Sequence, residues 1–148
     1  MKTLLTIVAS LLLLWINQGC NKIASESFQD APKYSLNVPV NIAIDTINKF
    51  KILHPELCPS KESNFTDGYY GSPWYSIYFY YSDKNKYLNT WVRGDGNTTT
   101  FAFVSISRDS ISGQWQVINT DLKGAENDSV KNEFVARILN PIKQLLRE

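Results

Sequence analysis

Residues 72–82 read S-P-W-Y-S-I-Y-F-Y-Y-S, and seven of these eleven residues are aromatic or β-branched. Such residues are enriched in strands, so the stretch predicts a β-strand and not a helix. Its aromatic residues occupy both alternations of the strand, and successive side chains point to opposite faces of a sheet. Both faces of the predicted sheet are therefore apolar or amphipathic here. The rest of a small domain can cover one face, and what covers the other is the functional question.

Three further strand-like segments follow this stretch. Residues 87–93, 98–107 and 114–122 are rich in β-branched and aromatic residues and are separated by turn residues. The sequence Gly-Asp-Gly-Asn at 94–97 is a strong hairpin signal, because glycine, Asp and Asn accept positive φ. Together with residues 73–82, these segments predict a four-stranded antiparallel meander.

Helical periodicity flanks the meander on both sides. Residues 39–53 carry apolar side chains at three- and four-residue spacing, and Pro39 suits a first helical turn. Asp128 is a fair N-cap for a second helix that runs to the C-terminus. Within it Pro141 removes a hydrogen bond to Arg137 and predicts a kink. The order helix, four strands, helix predicts a two-layer α+β sandwich with both helices on one sheet face.

The strand alternation divides the sheet into an aliphatic side and an aromatic side. We expect the helices to cover the aliphatic side, which comprises Ile77, Phe79, Leu88, Val92, Ala102, Val104, Ile106 and Ile118. The aromatic side then presents Trp74, Tyr78, Tyr80, Tyr87, Trp91, Phe101, Phe103, Trp115 and Val117. The reverse is equally open, with the tryptophan side as the core and the aliphatic side capped by the N-terminal segment or a second copy. In both cases one face needs a cover.

The N-terminus carries a separate signal. Lys2 precedes an apolar run of thirteen residues at 4–16, which is short of the roughly 20 residues that span a bilayer. The length is typical of the central region of a signal peptide. Gly19 and Cys20 follow this run after two polar residues.

A charged start, an apolar run and a small residue directly before a cysteine resemble the signal of bacterial lipoproteins. The resemblance covers residues 1–20 alone, and Asn17 and Gln18 differ from the residues that this family prefers. It implies cleavage before Cys20 and lipidation of the Cys20 sulfur, and therefore a location at the bacterial cell envelope. The alternative is a secreted or periplasmic chain with a disulfide between Cys20 and Cys58.

The predicted organisation is a signal peptide at 1–19, a lipidated cysteine and tether at 20–38, and one α+β domain at 39–148. The tether prediction rests on the polar, aperiodic composition of residues 21–37. An alternative remains for its last part, where Tyr34, Leu36 and Val38 alternate and suggest a short edge strand.

Charge and composition argue against several functions. Removing Lys2 from the 15 basic residues leaves 14 against 14 acidic residues, so no nucleic-acid partner is expected. The single histidine, His54, stands four residues before Cys58 in a proline-punctuated loop, and no other pairing suggests metal ligands. Neither a catalytic motif nor a cofactor site is evident, so we expect no enzyme.

The aromatic set is the remaining candidate site. The predicted binding residues are Trp74, Tyr78, Tyr80, Tyr87, Trp91 and Trp115 of the strands, with Tyr69 and Tyr70 of the preceding loop. Tyrosine and tryptophan are amphipathic and enriched at interfaces. We therefore expect a non-enzymatic protein-binding module of the inhibitor, immunity or assembly-factor type, acting through the sheet face or the loop at 58–71. A homodimer through the open face, or a small-ligand or glycan site on it, is the alternative.

Overall fold

A computed structural model describes residues 29–68, 74–107 and 114–147. The predicted signal peptide, Cys20 and the first part of the predicted tether lie outside the described residues, as do Tyr69, Tyr70 and residues 108–113 between the last two predicted strands.

Five antiparallel strands form one sheet: β1 Lys33–Leu36, β2 Tyr75–Tyr81, β3 Lys86–Asp95, β4 Thr98–Ser107 and β5 Trp115–Val117. Their order is β1-β4-β3-β2, and β5 pairs with the end of β4 that β1 leaves free. The predicted α+β class is confirmed, but the predicted number of four strands was wrong, because the described residues form five. Residues 33–36 form the edge strand that the sequence offered as the alternative to a tether, because Leu36 and Tyr34 pack into the core.

β5 is shorter than the predicted strand at 114–122. The chain turns after Val117, where Asn119 adopts a positive φ of 65°. The Asp121 carboxylate accepts the backbone N–H of Val117 at 2.7 Å and closes this turn. The Ile118 N–H still donates to Val104 O at 3.0 Å, so the bond between Val117 and Asp121 lies on the side of the strand away from β4 and closes the turn that follows β5.

The helices are α1 Val40–Leu53, a 3₁₀ turn Pro55–Leu57, α2 Gly124–Phe134, a π-helical turn Val135–Leu139 and α3 Asn140–Leu145. The second helix begins four residues before Asp128, so the predicted N-cap was wrong. Pro141 lies in the first turn of α3, directly after the π-helical turn. The missing proline N–H is thus accommodated by a wider turn, in which the Asn140 N–H donates to Val135 O.

One sheet face packs on α1 and on the helical segment 124–145 and forms the main core. This core joins Tyr75, Ile77, Phe79, Tyr81, Leu88, Val92, Phe101, Phe103, Ile106 and Ile118 to Ala43, Ile44, Ile47, Phe50, Phe134, Ile138, Leu139 and Ile142. The predicted division of residues between the two sheet faces is confirmed for β2 and β3. In β4 they were wrong for four residues, namely Phe101 and Phe103, which face the helices, and Ala102 and Val104, which face away.

A β-bulge explains the error in β4. Asn89 pairs with Ser105 but Thr90 pairs with Phe103, so Val104 is an extra residue in β4. An extra residue reverses the alternation beyond it. Ile106 therefore faces the helices together with Phe101 and Phe103, although the three do not share one alternation in the sequence.

Candidate binding site

The sheet face opposite the helices carries the predicted aromatic residues. Along β2 the buried residues alternate with half-buried ones, so Tyr78 and Tyr80 lie on this second face. Tyr87 of β3 stacks on Tyr80, with 4.7 Å between ring centroids. Trp74 and Trp91 meet farther along the same face, 4.4 Å apart and nearly perpendicular.

Phe65 covers one half of this face. It extends from the loop after the 3₁₀ turn, and its ring centroid lies 5.2 Å from Tyr78, 4.5 Å from Tyr87 and 5.6 Å from Trp115. Three of the predicted binding residues therefore pack on a loop of their own chain. We call the cluster of Phe65, Tyr78, Tyr80, Tyr87 and Trp115 the covered half of the face.

The same loop is fixed to the free edge of β2. The Asp67 carboxylate pairs with Lys51 Nζ at 2.6 Å and accepts the backbone N–H of Tyr78 at 2.9 Å. The Gly68 N–H donates to Ser76 O at 2.8 Å. These bonds occupy outward-facing backbone groups of an edge strand, which protects the edge from pairing with another chain. They also hold Phe65 against the sheet.

The other half of the face contains a groove of about 390 Å³. Its lining residues are Lys33, Trp74, Trp91, Arg93, Gly94, Asp95 and Thr100. We call this depression the tryptophan groove. It lies where β1, β3 and β4 run side by side, away from Phe65.

Trp91 is the most deeply buried of these residues. It is 5% exposed and packs with Ala31, Ala102 and Val104. Its Nε1 atom is buried, and no acceptor for it exists among the described residues. A buried donor without a partner costs about 1–3 kcal/mol, so it calls for a functional or structural explanation.

A polar network places the N-terminal segment beside Trp91. The Asn119 Nδ2 donates to Asp30 O at 2.7 Å, and the Asn127 Nδ2 donates to Asn119 Oδ1 at 2.7 Å. The Asn127 Oδ1 in turn accepts the Asn119 N–H at 3.0 Å. Asn127 is buried in α2, so the start of the described chain is tied to α2. The chain then continues into β1, whose pairing with β4 places Lys33 opposite Ala102 at the groove.

The groove carries charges that are unpaired within the described parts of the chain. The Arg93 guanidinium lies 4.7 Å above the Trp74 ring and forms no ion pair there. Lys33 Nζ contacts the Gln29 carbonyl at 3.5 Å and no carboxylate. Asp95 follows Arg93 by two residues in β3, so both lie on one face, while Gly94 between them faces Val40 on α1.

His54 and Cys58 do not face each other as a catalytic pair. His54 Nδ1 lies 3.1 Å from the Glu56 carboxylate, and Cys58 Sγ donates to the backbone oxygens of Lys51 and His54. Cys58 forms no disulfide within the described residues, and burial raises the pKa of its thiol. Over residues 29–68, 74–107 and 114–147 no group of three metal-ligating side chains occurs.

Phe65 and the groove cations Lys33 and Arg93 were not among the predicted site residues. Phe65 stands alone in a polar loop without periodicity, so only its size and apolarity set it apart. Arg93 shares the alternation of Trp91, and that pattern was the available signal. Lys33 was assigned to the tether, and no pattern in the sequence indicated that it belongs to the site.

Comparison with known proteins finds no family model, no curated protein and no solved structure that matches this chain. Among the described residues no helix is long and apolar enough to cross a membrane.

Proposed function

We propose that this protein is a non-enzymatic, lipid-anchored module of the bacterial cell envelope that binds another protein through the tryptophan groove. The observation that carries the proposal is the contrast between the two halves of the sheet face. Phe65 covers one half, while Trp74 and Arg93 remain beside a groove on the other. Tryptophan and arginine, together with tyrosine, are enriched among the residues that dominate binding energy at interfaces. The proposed type of module, an inhibitor, immunity factor or assembly factor, rests on analogy with other small envelope domains.

The proposal narrows the predicted site to Trp74, Trp91 and their charged neighbours. Tyr78, Tyr87 and Trp115 pack under Phe65 and support the loop in this account. The partner meets the half-buried Trp74 and the exposed Arg93, and Trp91 forms the base beneath them.

Capture from solubilised envelope membranes tests the proposal. The immobilised protein is compared with Trp74→Ala and with Ile52→Ser, a matched control on α1 where the side chain is 79% exposed. We expect a protein that the wild type and Ile52→Ser retain and that Trp74→Ala loses. Retention by all three proteins contradicts the groove as the binding site. Light scattering shows whether a second copy of this chain occupies the groove.

A small-ligand or glycan site is the second candidate, because the groove volume lies within the range of about 300–1,000 Å³ of small-molecule sites. The Trp74 ring already contacts Arg93 and Trp91, which leaves less ring surface for stacking on a sugar. Glycan binding that Trp74→Ala abolishes, without any captured protein, favours this candidate.

The anchor is proposed on the lipoprotein-like signal and is tested by mass spectrometry of the mature N-terminus. We expect a diacylglycerol mass on Cys20, unchanged in Cys58→Ser. A peptide pair linked by a disulfide between Cys20 and Cys58 contradicts it and favours the secreted or periplasmic alternative.

A further inference from the structure

We propose that the protein partner inserts a carboxylate, from an Asp or Glu side chain, between Arg93 and Lys33 of the tryptophan groove. This inference rests on the proposed function and specifies the chemistry of the partner.

The guanidinium of Arg93 is prepared for a carboxylate. Its contact with the Trp74 ring at 4.7 Å holds the planar group over an aromatic face. The N–H donors of a guanidinium lie at its edge, where they match a carboxylate in a bidentate manner. Arg137 shows the same chemistry completed within the chain, because it lies 4.1 Å from the Tyr81 ring and binds both Asp83 and Glu133. Arg93 has the aromatic support, but the described residues supply no carboxylate to it.

Lys33 adds a second cation at the groove, and its place is fixed by the pairing of β1 with β4. Lys33 lies opposite Ala102, the residue that packs with Trp91. Its ammonium has no carboxylate partner among the described residues. Two cations that are unpaired among the described residues give the groove a positive charge, and both side chains are exposed, so a carboxylate of the partner can reach them.

Asp95 limits the charge of the ligand. With Lys33 and Arg93 it leaves one net positive charge on the lining. A single carboxylate matches this charge, whereas a polyanion meets repulsion from Asp95. The same residue gives a test of opposite sign, because removing its charge strengthens the binding of a carboxylate.

A display library of random peptides provides the probe. Peptides are selected on the wild type, depleted on Trp74→Ala, and then compared for binding to the wild type and to the double variant Lys33→Gln/Arg93→Gln. We expect the enriched peptides to contain Asp or Glu beside apolar residues. For one synthetic peptide of that set, Arg93→Gln weakens binding about tenfold or more, the loss typical of a charge-assisted hydrogen bond. Changing the acidic residue of the peptide to its amide gives the same loss, and the two changes together give no more.

Asp95→Asn and Lys49→Gln are the controls for charge. Asp95→Asn tightens binding of the acidic peptide a fewfold. Higher salt reduces both this gain and the loss caused by Arg93→Gln. Lys49→Gln removes one positive charge from the exposed side of α1 and leaves binding unchanged.

The outcomes separate the two proposals. Peptides that lack acidic residues but still depend on Trp74 leave the proposed function intact and overturn this inference. The absence of any peptide that depends on Trp74 overturns both. If no peptide binds and a uronic-acid oligosaccharide binds with the same dependence on Arg93, the proposal that the partner is a protein is overturned.

Discussion

Truncating Phe134 is the sharpest test of how the helices are packed on the sheet. The Phe134 ring is fully buried and stacks on Phe103 with 4.6 Å between centroids. It also contacts Phe101 at 5.5 Å and Tyr34 at 5.7 Å. Replacing a buried phenylalanine by alanine costs about 3–5 kcal/mol, and three aromatic neighbours place Phe134→Ala near the upper end. Phe134→Leu retains more of the volume and is expected to cost about 2 kcal/mol.

Urea denaturation followed by tryptophan fluorescence measures this loss. With a slope of about 2 kcal/mol per M, Phe134→Ala lowers the midpoint by about 2 M and Phe134→Leu by about 1 M. Ile52→Ala, at an exposed position on α1, serves as the control and shifts the midpoint little. A shift below about 0.5 M for Phe134→Ala refutes the proposed role of this ring as the link between α2, β1 and β4.

Three further predictions concern other contacts. Gly94→Ala brings a Cβ to 2.8 Å from Val40 Cβ and costs about 1–3 kcal/mol, whereas Gly96→Ala meets no atom within 4 Å and costs about 1 kcal/mol from its φ of 60°. A thermal midpoint for Gly94→Ala no lower than that for Gly96→Ala contradicts the close approach. Asn127→Ala removes the acceptor of the Asn119 N–H and costs about 1–3 kcal/mol by urea denaturation. An unchanged midpoint there argues against the Asn119–Asn127 network. A hydrogen bond from Arg137 lowers the pKa of Asp83 below its ordinary 3.8. The ionised Asp83 therefore contributes to folding stability above pH 3.8, and this contribution is lost as pH falls through the folded pKa. The stability difference between wild type and Asp83→Asn should therefore shrink as pH falls below 3.8 and through the folded pKa, and a difference that stays constant over that range contradicts this ion pair.

The regular strands were predictable because period two is visible in a single strand. The alternation of β2 and β3 separates Ile77 and Leu88 from Tyr78 and Tyr87, and the structure has this separation. The same rule failed in β4. The extra residue there is Val104, and no glycine or other residue typical of a bulge distinguishes this part of β4 from a regular strand in the sequence.

The remaining differences come from contacts between distant segments. β1 has only four residues, so the visible alternation of Tyr34 and Leu36 was too short to decide between a strand and a tether, and its pairing with β4 decides for the strand. Phe65 meets the sheet through a loop fixed by Asp67, and no pattern in that loop specifies where it folds. Pro141 did predict a disturbance of the C-terminal helix, but whether this becomes a kink or a π-helical turn depends on how Ile138 and Leu139 are both buried.

Photocrosslinking in intact cells tests the central claim most directly, namely that the tryptophan groove contacts a protein partner. A photoreactive phenylalanine analogue replaces Trp74 at the groove, Trp115 in the covered half, or Ile52 on α1. We predict a crosslinked protein from position 74 and none from positions 115 and 52. Crosslinking at 115 or 52 with none at 74 contradicts the account.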